Sequence, residues 1–207
     1  MADRTAAVLL GLALSLAAAP HASADGNVES IAAFSGPASP SMKSVLEPRG
    51  YGITLEGGGV ACQVWFRKDA PGLVPSALVG VLTFPQNTTD FRGQAIKAGT
   101  YTLRYAQMPG DGNHLGAAPT GDFLLLSPVA DDQDAAGQPE FAALMKLSAK
   151  AAGSNHPSPL NLAAVGDRKD YPAVARNESG HEVFYVKLKT AKGELPIGLV
   201  VKGQTDH

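Results

Sequence analysis

HEVFYVKLKTAKGELPIGLVV, residues 181–201, shows the period of this chain most plainly. Phe184, Val186 and Leu188 recur at every second position, and Ile197, Leu199 and Val201 do the same after the polar break AKGE. An extended chain turns successive side chains to opposite faces, so a period of two marks a strand with one face buried. Two such runs around a short break containing glycine predict a β-hairpin.

The same period recurs upstream. AGTYTLRYAQ, residues 98–107, sets Tyr101, Leu103 and Tyr105 against Thr100, Thr102 and Arg104. GYGITLE aligns Tyr51, Ile53 and Leu55, and after GGG the stretch VACQVWFR aligns Val60, Cys62, Val64 and Phe66 against Gln63, Trp65 and Arg67. This pair is a second hairpin signal. SALVGVLTFP and PLNLAAV read as further strands, and GDFLLLSPV lacks alternation, which fits a central strand covered on both sides. The one helix signal is QPEFAALMKLSAKAAG. Pro139 suits its first turn, Phe141, Leu144, Met145 and Ser148 fall on one stripe, and Lys150 with Gly153 closes it. The predicted fold is all-β, an antiparallel β-sandwich of about eight or nine strands with one inserted amphipathic helix.

The first residues, MADRTAAVLLGLALSLAAAPHASADG, combine Arg4, an apolar run from Ala6 to Ala19, and the small residues Ala22 and Ala24. That order predicts a secretory signal peptide cut near Ala24 and a secreted or periplasmic location, and no later stretch is apolar for long enough to span a bilayer. Residues 25–48 read as an N-terminal extension, with SGPASPS as a flexible lead-in and SMKSVLEP as a short helical turn capped by Ser41 and stopped by Pro48. Residues 49–207 read as a single domain.

Composition excludes some classes. The formal net charge is −2 over 207 residues and there is no run of Lys or Arg, so a nucleic-acid surface is not indicated. Cys62 is the only cysteine and cannot form an internal disulfide. Its neighbours Val60, Val64 and Phe66 on the same face predict a buried structural thiol rather than a nucleophile. There is no G-x-S-x-G elbow, no P-loop and no G-x-G-x-x-G after a strand, and nothing singles out a catalytic pair of acids.

Candidate sites fall on loops and on outward strand faces. MPGDGNHLG, residues 108–116, holds Asp111, Asn113 and His114, and SNHPSP holds Asn155 and His156. Two imidazoles from different loops, joined by a carboxylate such as Asp111, Asp122 or Asp131, would suit a divalent transition metal. The alternative is that the Pro, Gly, Asp and Asn residues satisfy turn geometry alone. VADDQD, with Asp131, Asp132 and Asp134, lacks the Gly and the bidentate Glu of a calcium loop and reads as a solvated connection. Trp65, Gln63 and Arg67, with Tyr185 and Lys187, could form an outer platform for a sugar or a protein, unless Trp65 packs beneath the helix or the N-terminal extension. Asn87-Thr88-Thr89 and Asn177-Glu178-Ser179 match a glycosylation pattern and read as polar loops.

IKAGTYTLRYAQMPGDGNHLG, GDFLLLSP and NHPSPLNL together resemble an uncharacterised family of predicted exported bacterial β-sandwich proteins. The resemblance implies a bacterial envelope or extracellular protein and supplies no catalytic residues. The expected function is that of a binding or interaction module whose partner is an envelope protein, a carbohydrate or a small ligand. The alternative is a metal-binding protein or metal-dependent enzyme using His114 and His156.

Overall fold

Alternation along the strands sorts side chains into an inner and an outer set, and the two sets are buried by different means. The structure, a computed structural model, describes residues 26–108 and 120–203. In chain order the elements are β1 (Asn27–Ile31), α1 (Pro40–Ser44), β2 (Gly50–Thr54), β3 (Val60–Phe66), β4 (Leu78–Phe84), β5 (Thr88–Thr89) and β6 (Ala95–Ile96). Then follow β7 (Gly99–Gln107), β8 (Asp122–Pro128), α2 (Phe141–Ala152), β9 (Pro159–Ala163), β10 (Ala173–Arg176), β11 (Glu182–Thr190) and β12 (Gly193–Lys202). The chain is an antiparallel all-β protein, as the alternation predicts.

Strand count and connectivity differ from the expectation. Ten strands run as one hydrogen-bonded sheet in the order β1-β2-β3-β4-β7-β8-β9-β12-β11-β10, and β5 with β6 makes a separate small hairpin. The end strands β1 and β10 lie beside each other, so close that a side chain at Gly26 would come within 2.9 Å of Val174 Cγ1. β9 changes partner along its length. Pro159, Leu160 and Asn161 pair with β8, whereas Leu162 and Ala163 pair with β12.

The inner face is one continuous apolar core. Ile53, Cys62, Val64, Phe66, Leu103, Leu124, Phe184 and Leu199 all belong to it, so the major hairpins read from the sequence contribute their predicted faces, except that Val60, at the start of β3, stands 38% exposed. Bulges keep the faces in register where alternation slips, as between Leu78 and Gly80, which lets both Val79 and Leu82 point inward. Burial pushes the Cys62 thiol up to about 12, in line with the structural role predicted for it.

The outer face is covered in separate patches. Over β3 and β4, Trp65, Leu78 and Val81 pack on Phe34, Met42 and Leu46 from the N-terminal segment, and Trp65 Nε1 donates to the Ala32 carbonyl at 2.8 Å. Residues 27–31 of the predicted extension belong to the sheet, since β1 pairs with β2, and the end of SGPASPS, read as a flexible lead-in, forms the cap and start of α1. The cap of α1 is Ser39, whose hydroxyl accepts from the Met42 amide, and not Ser41. Over β7 and β8, α2 buries Leu144, Ser148 and Ala151, a stripe rotated from the predicted one. Phe141 stands 40% exposed at the helix start, Glu140 is the N-cap so that Pro139 lies just ahead of the first turn predicted for it, and Gly153 ends the helix in the left-handed conformation at φ 65°.

Between these covers lies a fully buried arginine. Arg104 on β7 gives Nε to Asp132 Oδ2 at 2.6 Å and Nη2 to Asp132 Oδ1 at 2.8 Å. Its remaining N–H groups reach the carbonyls of Ser76, Gly137 and Asp134 at 2.9, 2.6 and 2.6 Å. All five donors of the guanidinium are therefore used, and the loop after β8 is pinned to the outer face. Among the described residues no helix is long and apolar enough to cross a membrane.

Candidate functional site

The histidine loops predicted from the sequence are only partly visible. Asp111, Asn113 and His114 lie outside the described residues. Asn155 and His156 are exposed on the turn after α2, where the His156 amide and carbonyl both bond the Ser154 hydroxyl. Asp122 accepts the Tyr105 hydroxyl at 2.5 Å and the Gln107 amide at 3.1 Å, and burial followed by this bond raises the Tyr105 pKa. Asp131 pairs with Lys150 at 2.9 Å. Among the described residues no group of three or more His, Cys, Asp or Glu side chains is arranged to hold a metal ion.

The acids of VADDQD are likewise committed to the fold. Asp132 holds Arg104 and the Thr102 hydroxyl, and Asp134 Oδ1 accepts the Ala136 amide. The connection is built and partly buried, not merely solvated.

The outer platform does not form as one surface. Trp65 is buried edge-on against Phe34, with ring centroids 5.0 Å apart, because the N-terminal segment needs an apolar seat. Arg67 donates to the Ala135 carbonyl at 2.9 Å, and Gln63 is half-buried beside them on β3. Tyr185 lies on β11, on the other side of β4, β7, β8, β9 and β12 in the sheet order, so it cannot join Trp65. Lys187 pairs with Glu194 at 2.9 Å, and that bond raises its pKa.

A different place gathers unspent chemistry. On β9 Leu160 and Leu162 face the core, so Asn161 faces outward. By the same alternation β11 presents Tyr185 and β12 presents Val200 to that outer surface. Gly198, the register partner of Tyr185, makes room for the ring, since a side chain there would lie 3.0 Å from Tyr185 Cε1. Around this floor rise the loop of residues 164–172 and the turn of residues 177–180, framing an open pocket of about 750 Å3.

The walls are fixed by their own bonds. The Arg168 guanidinium lies 4.1 Å from the Tyr185 ring centre and bonds Asp170 at 2.8 Å. Arg176 is held by Glu182 at 2.7 Å and Glu56 at 3.8 Å, and the Glu182 bond raises its pKa. Asn177 Oδ1 accepts the Ser179 and His181 amides, shaping the turn. Phe91 stands on the β5–β6 turn, packed 4.4 Å from the His181 ring. Asp90 organises that turn by accepting the Arg92 and Gln94 amides, and burial raises its carboxyl pKa against those bonds.

Asn161 is the exception among these polar groups. Its side chain lines the pocket, the residue is only 5% exposed, and it has no side-chain hydrogen bond among the described residues. No protein family, curated protein or solved structure matches this chain. The site therefore rests on its geometry. Of its lining, sequence reasoning named Tyr185 alone as a candidate and missed Asn161, whose local signal is the single amide inside the otherwise apolar run PLNLAAV.

Proposed function

We propose that this protein is an exported binding module and that the outer-face pocket over β9, β11 and β12 is its ligand site. The observation that carries the reading is Asn161, a residue only 5% exposed whose carboxamide has no side-chain hydrogen bond among the described residues, at the floor of an open pocket of about 750 Å3. A carboxamide that no protein group engages is left to water or to a ligand, and small-molecule sites place a few such polar groups among apolar walls. The rigid sheet beneath and the bonded loops around it suit recognition without large rearrangement.

Export is supported by the N-terminal pattern ending at Ala24. The family resemblance supports the same bacterial envelope setting. In this reading the curled sheet acts as a nearly closed wall, with β1 meeting β10 on one side and β9 turning the corner on the other. Its interior is filled, so ligands bind outside.

The test is a ligand screen by protein-observed NMR on the purified protein and on Asn161→Leu. Fragments that shift the amides of Ala163, Val165 and Phe91 in the native protein, and fail to do so in the variant, support the site. A screen in which no compound shifts those amides overturns it. N-terminal sequencing of protein from the envelope fraction checks export, with Asp25 expected as the first residue.

A further inference from the structure

Resting on that pocket, we infer that its ligand is a neutral, hydroxyl-rich molecule the size of a short oligosaccharide. The pocket is open to solvent, and its volume of about 750 Å3 would take two or three sugar rings lying along it.

Charge decides against an anion. The two arginines at the pocket each face carboxylates, Arg168 bonding Asp170 and Arg176 bonding Glu182 with Glu56 at 3.8 Å. Asp167 and Glu178, also in the lining, have no ion-pair partner among the described residues. A phosphate or carboxylate would meet a surround in which Asp167, Asp170, Glu178, Glu182 and Glu56 outnumber Arg168 and Arg176. The pocket instead offers acceptors, and acceptors select donors.

Geometry then decides between hydroxyl and ammonium donors. The Tyr185 face, the aromatic seat that would hold a cation, is already occupied by Arg168 at 4.1 Å. What remains is a neutral carboxamide able both to give and to accept, two outlying carboxylates, and apolar patches from Phe91, Val165 and Val200. A pyranose has that pattern in reverse: hydroxyls around its edge and C–H groups on its faces. Asn161 would bond two neighbouring hydroxyls or an acetamido group, with Asp167 and Glu178 taking hydroxyl protons at the rim.

The test titrates the purified protein with cellobiose, lactose, maltose and N,N′-diacetylchitobiose, and in parallel with cadaverine and glutarate, following the amides of Ala163, Val165 and Phe91. At least one disaccharide is expected to shift them saturably, with binding weakened by about tenfold or more in Asn161→Leu and less in Glu178→Gln. Glu178 is exposed, so that variant keeps the fold while removing one rim acceptor. Saturable binding of cadaverine or glutarate at these amides, with none of any disaccharide, overturns the saccharide assignment and leaves the pocket standing. Disaccharide binding that Asn161→Leu leaves unchanged overturns it as well. Silence from all six compounds overturns the saccharide assignment, while the fragment screen decides separately whether the pocket binds anything.

Discussion

The inner and outer faces of the sheet are both buried over much of their area, yet they are buried differently. Inside, one uninterrupted set of apolar side chains from the major strands packs against itself. Outside, burial is local: the N-terminal segment covers Trp65, α2 covers Phe123 and Leu125, and the loop of residues 164–172 lies over Tyr185 and Val200. The inner face needs only shape and apolarity. The outer face needs polar fastenings at its covers, and it is there that Arg104 and Asp132 are found. Chemistry in this molecule belongs to the places where covers end.

The contrast can be broken by cutting each face. Phe184, fully buried between Tyr51 and Phe66 on the inner face, should cost about 4 kcal/mol when changed to Ala, measured by urea unfolding. A loss below about 1 kcal/mol would mean that the inner face is not one packed core. On the outer face, Asp132→Ala should cost about 3 kcal/mol because it strands a buried guanidinium. The double change Arg104→Met with Asp132→Leu should recover most of that loss, since an apolar pair of similar volume needs no fastening. If the double variant is as unstable as the single one, the loop is held by more than this pair.

A smaller effect sharpens the inner face through pH. The Cys62 thiol is raised from an ordinary 9.0 to about 12 by burial. A raised folded value means that the contribution is full below pH 9 and is lost as pH rises toward 12, because only the unfolded chain readily releases the proton. At pH 10 the unfolded thiol should draw off about 1.4 kcal/mol, a loss absent from Cys62→Ala when the two pH profiles are subtracted. Identical alkaline slopes would show that Cys62 is not sealed in the core. Least of all should change at Phe141, exposed at the start of α2, where replacement by Ala should alter stability by less than about 0.5 kcal/mol.

How much of this was legible in the sequence follows the same division. Phe184, Val186 and Leu188 could be read because a strand buried on one face writes its burial into its own period. β1 and β10 could not, because NVESI and AVAR are edge strands whose exposure mixes polar and apolar residues. The α2 stripe was misplaced because Phe141 overhangs the sheet at the helix start, so an apolar residue there buys no burial. Arg104 looked like an outward residue on an alternating strand. Its partners Asp132, Ser76 and Gly137 lie 28 to 33 positions away, and no local pattern joins them. The pocket was hidden for the same reason, since its floor comes from three strands and its rim from separate loops.

One joint in the sheet has a consequence for time rather than for shape. β11 and β12 are held along their whole hairpin, from Glu182 opposite Lys202 to Thr190 opposite Gly193, whereas β12 meets β9 through Gly198 with Ala163 and Leu199 with Leu162 alone. So short a ladder opens more readily than its neighbours, and its amides should exchange with solvent ahead of those of the β11–β12 hairpin. Asn161 stands one residue from that joint. A molecule bound there favours the closed state in proportion to its occupancy, so slowed exchange at Leu162 and Ala163 would report that the site is filled before the occupant is known.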